Sequence, residues 1–200
     1  PVKGHSVKSQ LASVRDCQAI IKKAIASRMS AAYGIEWLPE DGAEYRVQFS
    51  ILKDRVTLMI DTSGAPLHKR GYRQFSNAAP LRETIAAAMV MMSYWKFEYP
   101  LLDPFCGSGT IPIEGALFKR NIAPGFNRAF AADHFEQISD TLRRDVSEEA
   151  KSLEKNVPLE IHASDIDPAC VQLTQSNAEK AGVGQFIQVK QEKAENVFLP

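Results

Sequence analysis

The sequence predicts an α/β chain in two parts. Residues 81–200 read as a parallel, Rossmann-like, doubly wound sheet, and residues 1–62 read as the end of a small α+β unit. Three observations carry this. Two short apolar strands ending in aspartate flank a glycine-rich loop and a helix. The first 61 residues hold one amphipathic helix followed by two β-like runs. Between the two parts, residues 63–80 lose all apolar period and gain Gly, Pro and Ser. The 200 residues are 44% hydrophobic and 24% charged, which suits a globular domain and excludes disordered or fibrous classes. No run approaches the roughly 18 apolar residues of a membrane span. PVKGHSVKSQ has no apolar segment of the secretion-signal kind. The three cysteines, Cys17, Cys106 and Cys170, are odd in number, far apart and without CxxC spacing. That argues against a disulfide scaffold or a metal site and fits a reducing, cytoplasmic setting.

In the first part, Val14, Cys17, Ile20, Ile21, Ala24, Ile25 and Met29 recur at helical spacing, with Ser13 placed to cap the helix. Lys22, Lys23 and Arg28 fall largely off that stripe. EYRVQFSI (44–51) and RVTLMID (55–61) alternate as strands, and Lys53-Asp54 sits where a tight hairpin turn would sit. One helix and one hairpin bury too little to stand alone, so the unit is expected to continue before Pro1.

The net charge of zero conceals an asymmetry. Residues 1–80 hold 12 Lys/Arg against 7 Asp/Glu, and residues 81–200 hold 12 against 17. A cationic first half is compatible with a polyanionic partner. The densest cationic run is His68, Lys69, Arg70 and Arg73, interleaved with Tyr72 and Phe75. Such cations can pair with phosphates while the rings stack on unpaired bases, so a nucleic acid is the expected partner, against a solvated linker whose aromatics dock on the next domain. Residues 63–80 are accordingly read as a basic linker.

In the second part, LRETIAAAMVMMSYW (81–95) reads as an apolar helix and YPLLD (99–103) as a buried strand. The loop PFCGSGT (104–110) leads into the helix IPIEGALFKR (111–120), with Pro112 in its first turn, where a missing N–H costs little. Residues 133–156 read as one long amphipathic helix with Phe135, Ile138, Leu142, Val146, Ala150 and Leu153 on one side. LEIHASDID (159–167) is the next strand, 168–182 a helix running from Pro168 to Gly182, and QFIQVKQ (185–191) the third strand.

Parallel sheets of this kind bind ligands beyond the carboxyl ends of their strands. Asp103 and Asp165 end two of them. Gly107 and Gly109 admit a close approach of backbone, and Ser108 and Thr110 offer polar groups at a helix N-terminus. A phosphate-binding P-loop fails, because no lysine follows Gly109. The dinucleotide fingerprint fails at Pro112, which occupies its third glycine position. A ligand with a ribose, an adenine and a cationic amino-acid tail suits two carboxylates better, and S-adenosylmethionine has those parts.

DPFCGSGTIPIEGAL (103–117) resembles the cofactor motif of the THUMP-containing RNA methyltransferases, also labelled N6-adenine-specific DNA methylases. The resemblance extends through residues 3–25, 52–73, 79–89, 120–135 and 164–183, nearly the whole chain. It implies a class I methyltransferase domain, incomplete, preceded by the C-terminal part of a THUMP domain. It further implies S-adenosylmethionine-dependent methylation of the exocyclic N2 of a guanine in large-subunit ribosomal RNA. By resemblance, Asp103, Phe105, Cys106, Gly107, Ser108, Gly109 and Thr110 line the cofactor loop, and Asp165 holds the ribose. Ile166 touches the adenine, while Leu81, Arg82, Glu83 and Thr84 close one side of the pocket. Cys106 is expected to pack rather than react, since no histidine lies nearby to activate it. Lys22, Lys23, His68, Lys69, Arg70 and Arg73 are the candidate RNA contacts.

The sequence departs from that family in two places. No [N/D]-P-P-[Y/F] motif, which would receive the flipped base, is present. Lys193 stands where relatives carry an acid toward the adenine, with Glu192 one residue away. The chain is therefore expected to be cut at both ends, to lack catalytic residues and not to turn over. Three other readings compete: a transfer-RNA guanine-N2 methyltransferase, an N6-adenine DNA methyltransferase and a non-catalytic RNA-binding module.

Overall fold

The computed structural model describes residues 1–37, 41–73, 80–96 and 98–197. Its chain divides into two units, 1–65 with 130–139, and 66–129 with 140–200.

The first unit holds strand β1 (Val2–Val7), helix α1 (Val14–Tyr33), and strands β2 (Arg46–Leu52) and β3 (Arg55–Asp61). β2 lies in the middle of the sheet, parallel to β1 and antiparallel to β3. The β2–β3 hairpin closes as the spacing predicts, with Lys53 and Asp54 both at positive φ, 50° and 61°. That conformation matches the right-handed twist of the flanking strands. β1 was not anticipated; its polar alternation VKGHSV carries little apolar signal. Gly4 lets it pair closely, since a Cβ there would fall 2.1 Å from the Phe49 carbonyl oxygen. The Ser13 cap forms, its hydroxyl accepting from the Asp16 N–H. The core is Cys17, Phe49 and Ile51, with Val2, Val14 and Ile21 against it. The α1 stripe is narrower than its spacing suggests, because Ile20, Ala24 and Met29 are exposed.

Residues 130–139 belong to this unit and correct the long helix expected over 133–156. Phe135 stacks on Tyr45 with ring centroids 4.4 Å apart, and the Tyr45 hydroxyl donates to Gln137 Oε1 at 2.9 Å. The Ala132 N–H donates to the Thr62 carbonyl at 3.0 Å. These contacts leave only a single 3-10 turn at Ala131–His134. Helix α4 (Asp140–Ser152) begins afterwards and buries none of its residues; Leu142, Val146 and Leu153 are exposed.

The second unit contains α2 (Glu83–Met92), strand β4 (Leu101–Asp103), α3 (Thr110–Lys119), α4, β5 (Ile161–Asp165), α5 (Pro168–Lys180) and β6 (Ile187–Gln191). The three strands are parallel, in the order β4-β5-β6. Short apolar strands joined by helical crossovers admit only this kind of pairing. Helix α3 is the centre of the core, buried at Thr110 and from Pro112 to Leu117. Gly115 allows that depth, because a Cβ there would meet Leu101 Cδ2 at 2.9 Å. Ile113, Ala116 and Leu117 pack with Ile161, Ala163, Val183 and Ile187.

Tyr72 changes the reading of 63–80 as a linker. It is 1% exposed and sits in this same core cluster, with its hydroxyl on Glu114. An exposed linker residue tolerates truncation within about 0.5 kcal/mol, whereas a buried aromatic does not. Tyr72→Ala is therefore expected to cost about 3–5 kcal/mol, read as a lowered urea midpoint at unchanged slope.

Candidate functional site

The loop 104–109 joins β4 to α3 and is fastened to its neighbours by backbone groups. The Cys106 N–H donates to the Ser164 carbonyl at 2.9 Å, and the Gly107 N–H to Asp165 Oδ2 at 3.0 Å. The Gly109 N–H closes a turn on the Cys106 carbonyl at 2.7 Å. Gly107 and Gly109 hold φ of 56° and 80°, a region costly for residues with a Cβ. At Gly109 a Cβ would also lie 2.8 Å from Thr174 Cγ2.

Two residues of α5 support the loop from beneath, and neither was singled out from sequence. The Thr174 hydroxyl donates to the Gly107 carbonyl at 3.0 Å, and Asn177 Nδ2 to the Ser108 carbonyl at 3.0 Å. Both side chains are buried. The available signal was their spacing: polar residues three apart on the helix face that also carries Ala178 and Ala181. As in any helix, the first-turn N–H groups of α3 have no intrahelical acceptor, and Pro112 removes one of these unsatisfied donors.

The two carboxylates meet at this loop. Asp165 accepts from Gly107 through Oδ2 and from the Asp167 N–H through Oδ1 at 3.0 Å. Each oxygen keeps a further lone pair for a ligand hydroxyl. Asp103 Oδ1 accepts from the Phe105 N–H at 3.2 Å. Burial pushes the Asp103 carboxyl above its ordinary pKa, the Phe105 N–H opposes this, and the Asp165 charge adds to the rise. Around them, Phe105 and Ile166 stand 77% and 62% exposed, apolar surfaces without a cover. Glu192 reaches the site through its backbone, donating to the Asp165 carbonyl at 3.1 Å. Burial pushes the Cys106 thiol up to about 11, so it stays protonated and packs beside Thr174 Oγ1.

Of the residues read as one wall of the pocket, Glu83 is buried while Arg82 and Thr84 are exposed at the start of α2. Ser108 and Thr110 are buried. The cations divide. Lys22, Lys23 and Lys69 are exposed and His68 is half-buried. Arg70 and Arg73 are not open to a phosphate: Arg70 lies 3.5 Å from buried Glu114 and Arg73 3.6 Å from buried Glu83. Tyr72 is buried and cannot stack on a base, and Phe75 lies outside the described residues. Among the described residues no helix is long and apolar enough to cross a membrane.

The profile described as "RMKL-like, methyltransferase domain" matches residues 70–199, and that of the THUMP domain matches residues 1–61. The chain is 51% identical over 197 residues to the candidate RNA methyltransferase YpsC of Bacillus subtilis, covering 96% of this chain and 50% of that protein. It is 38% identical over 168 residues to Ribosomal RNA large subunit methyltransferase K/L of Vibrio campbellii, covering 82% and 24%. The chain thus spans half or less of the length of these relatives. A Listeria monocytogenes crystal structure, named as a predicted N6-adenine-specific DNA methylase, superposes with a TM-score of 0.94 at 48% identity, covering 100% of this chain and 53% of that one. SMU.472, a candidate methyltransferase solved in complex with SAH, gives 0.89 at 38% identity, with the same coverage.

The elevated Asp103 pKa has a sign that can be tested without a ligand. The folded chain holds the Asp103 proton more tightly than the unfolded chain, so stability falls as pH rises from the ordinary carboxylate range through the raised folded value. Asp103→Asn is expected to remove that part of the decline, raising the Tm of the ligand-free protein at neutral pH. Thermal melts of both proteins from acid to neutral pH check it.

Proposed function

The chain belongs to the RMKL-like methyltransferase family with a THUMP match in its first 61 residues, and on that premise we propose that it serves S-adenosylmethionine-dependent methylation of RNA. The substrate we assign is the exocyclic N2 of a guanine in large-subunit ribosomal RNA. The observation that carries the reading is the meeting of two acidic strand tips at one glycine loop. Asp103 and Asp165 end adjacent parallel strands, and the Gly107 N–H ties the loop to the second of them.

The residues fit the cofactor. An Asp103 carboxylate that is costly to ionise alone gains from a cationic ammonium beside it. The remaining lone pairs of Asp165 suit the two ribose hydroxyls. Exposed Ile166 offers an apolar face to the adenine, and Phe105, Gly107 and Gly109 border the methionine end. When bound, S-adenosylmethionine supplies a methyl group already activated on a sulfonium. The protein's own part is to bind and orient, with loop carbonyls held by Thr174 and Asn177 so that no reorganisation is needed on binding. The exposed Lys22, Lys23 and Lys69 supply phosphate contacts, which position RNA without reading its sequence. The K/L relative is named for ribosomal RNA of the large subunit, which supports that choice of substrate.

Asp103→Ala and Asp165→Ala are each expected to abolish S-adenosylmethionine binding in calorimetry; unchanged affinity in both defeats the cofactor reading. Nucleoside mass spectrometry of cells lacking the gene is expected to show loss of N2-methylguanosine from ribosomal RNA. Loss of N6-methyladenosine, or of its deoxy form, would replace the guanine assignment.

A further inference from the structure

The segment Arg70-Gly71-Tyr72-Arg73 grips α3 at two successive turns. Arg73 Nη2 donates to the Thr110 hydroxyl at 2.5 Å and to the Leu81 carbonyl at 3.2 Å, while Nη1 faces Glu83. One turn further, Glu114 receives the Tyr72 hydroxyl at 3.1 Å and Arg70 at 3.5 Å. Thr110 and Glu114 stand four residues apart, hence on one face of the helix. The segment can pass this close to the rest of the unit because residue 71 is glycine. It holds φ 97°, and a Cβ there would lie 1.8 Å from the Asn127 carbonyl oxygen.

Thr110 is the first residue of α3 and directly follows Gly109, the last residue of the loop. Leu81 and Glu83 mark the start of α2. A single guanidinium therefore joins three chain segments beside the loop that ends β4. Its planar fork can serve several acceptors at once, which an ammonium cannot do from one position. Thr110 is 4% exposed, so its hydroxyl is committed to this contact rather than open to solvent.

We infer that Arg73 is a positioning residue for the cofactor loop: it fixes Thr110 against the start of α2 and so sets the register of loop 104–109. The inference rests on the cofactor reading above. It goes beyond that reading by giving a role in ligand affinity to a cation outside the residues assigned to the cofactor. A hydrogen bond to a charged group, once lost, weakens binding by about tenfold to a hundredfold where its whole effect reaches the ligand.

The test uses the full chain with SAH as the probe, and calorimetry well below each variant's Tm. Arg73→Met and Thr110→Val are each expected to weaken SAH binding by at least about tenfold. The double variant is expected to be no weaker than Arg73→Met alone, because the two changes remove one interaction. Tyr72→Phe, which removes a hydroxyl from Glu114 but leaves the Arg73–Thr110 contact, is expected to lower Tm and keep the affinity within about threefold. If Arg73→Met behaves like Tyr72→Phe, or if the two losses simply add, Arg73 is only a structural cation and the inference falls. If the unmodified chain does not bind SAH, the cofactor reading fails first and this inference goes with it. That result is distinct from the other two.

Discussion

The hydrogen bond from the Gly107 N–H to the Asp165 carboxylate is the constraint on which the site depends. Together with the bond from Cys106 to the Ser164 carbonyl, it carries the association of β4 and β5 beyond the last paired residues of the strands. The strand ladder sets the two aspartates side by side, and this bond fixes the loop between them. Asp103 is half-buried there, with a second carboxylate nearby, and burial first and that charge second make its proton harder to remove. The ligand-free site is thus electrostatically unfavourable, and a cation is what relieves it. Stability is given up where binding gains, the usual bargain at functional sites.

Much of this was legible in the sequence for physical reasons. Asp103 and Asp165 each close an apolar run, and strands of a parallel sheet are buried runs that end where solvent begins. Gly107 and Gly109 advertise positive φ, and Pro112 advertises the first helical turn. The hairpin at Lys53-Asp54 was readable from two alternating runs either side of a short polar break. What was not legible depended on partners distant in sequence. Phe135 fits a helical stripe by spacing, but its ring stacks on Tyr45, ninety residues earlier, and the helix begins only at Asp140. β1 has an alternation too polar to register alone, and it exists because β2 offers it a ladder. Thr174 and Asn177 look like ordinary helix-surface residues until the loop above them is placed.

The cations illustrate the same limit in another form. A run of Lys and Arg in a Gly- and Pro-rich stretch reads as a phosphate-facing surface, because composition says nothing of where each side chain points. The structure sorts them by chemistry. Lys69, a compact and strongly hydrated charge, stays in solvent. Arg70 and Arg73, with broad and weakly hydrated guanidinium groups, turn inward to Glu114 and Glu83. Half of the apparent polycation is therefore internal bookkeeping, neutralising buried acids rather than attracting a polyanion.

Those buried acids explain in turn why 70–73 cannot be a passive connector. Glu114 lies on the most buried helix of the unit, and Glu83 opens another; burial raises the Glu114 pKa, while Arg70 and the Tyr72 hydroxyl work against that rise. An uncompensated carboxylate at such depth would cost more than several surface contacts return. A chain with Glu at both positions therefore requires cations to arrive from elsewhere, and 70–73 delivers them at matched spacing. Tyr72 adds its own burial to the same core; that burial, and then the charge of Glu114, push its hydroxyl pKa upward, so it remains a donor. The consequence is that α2, α3 and the segment ahead of them form one cooperative element. The loop that carries the candidate ligand contacts runs directly into the first residue of α3, Thr110, which Arg73 holds.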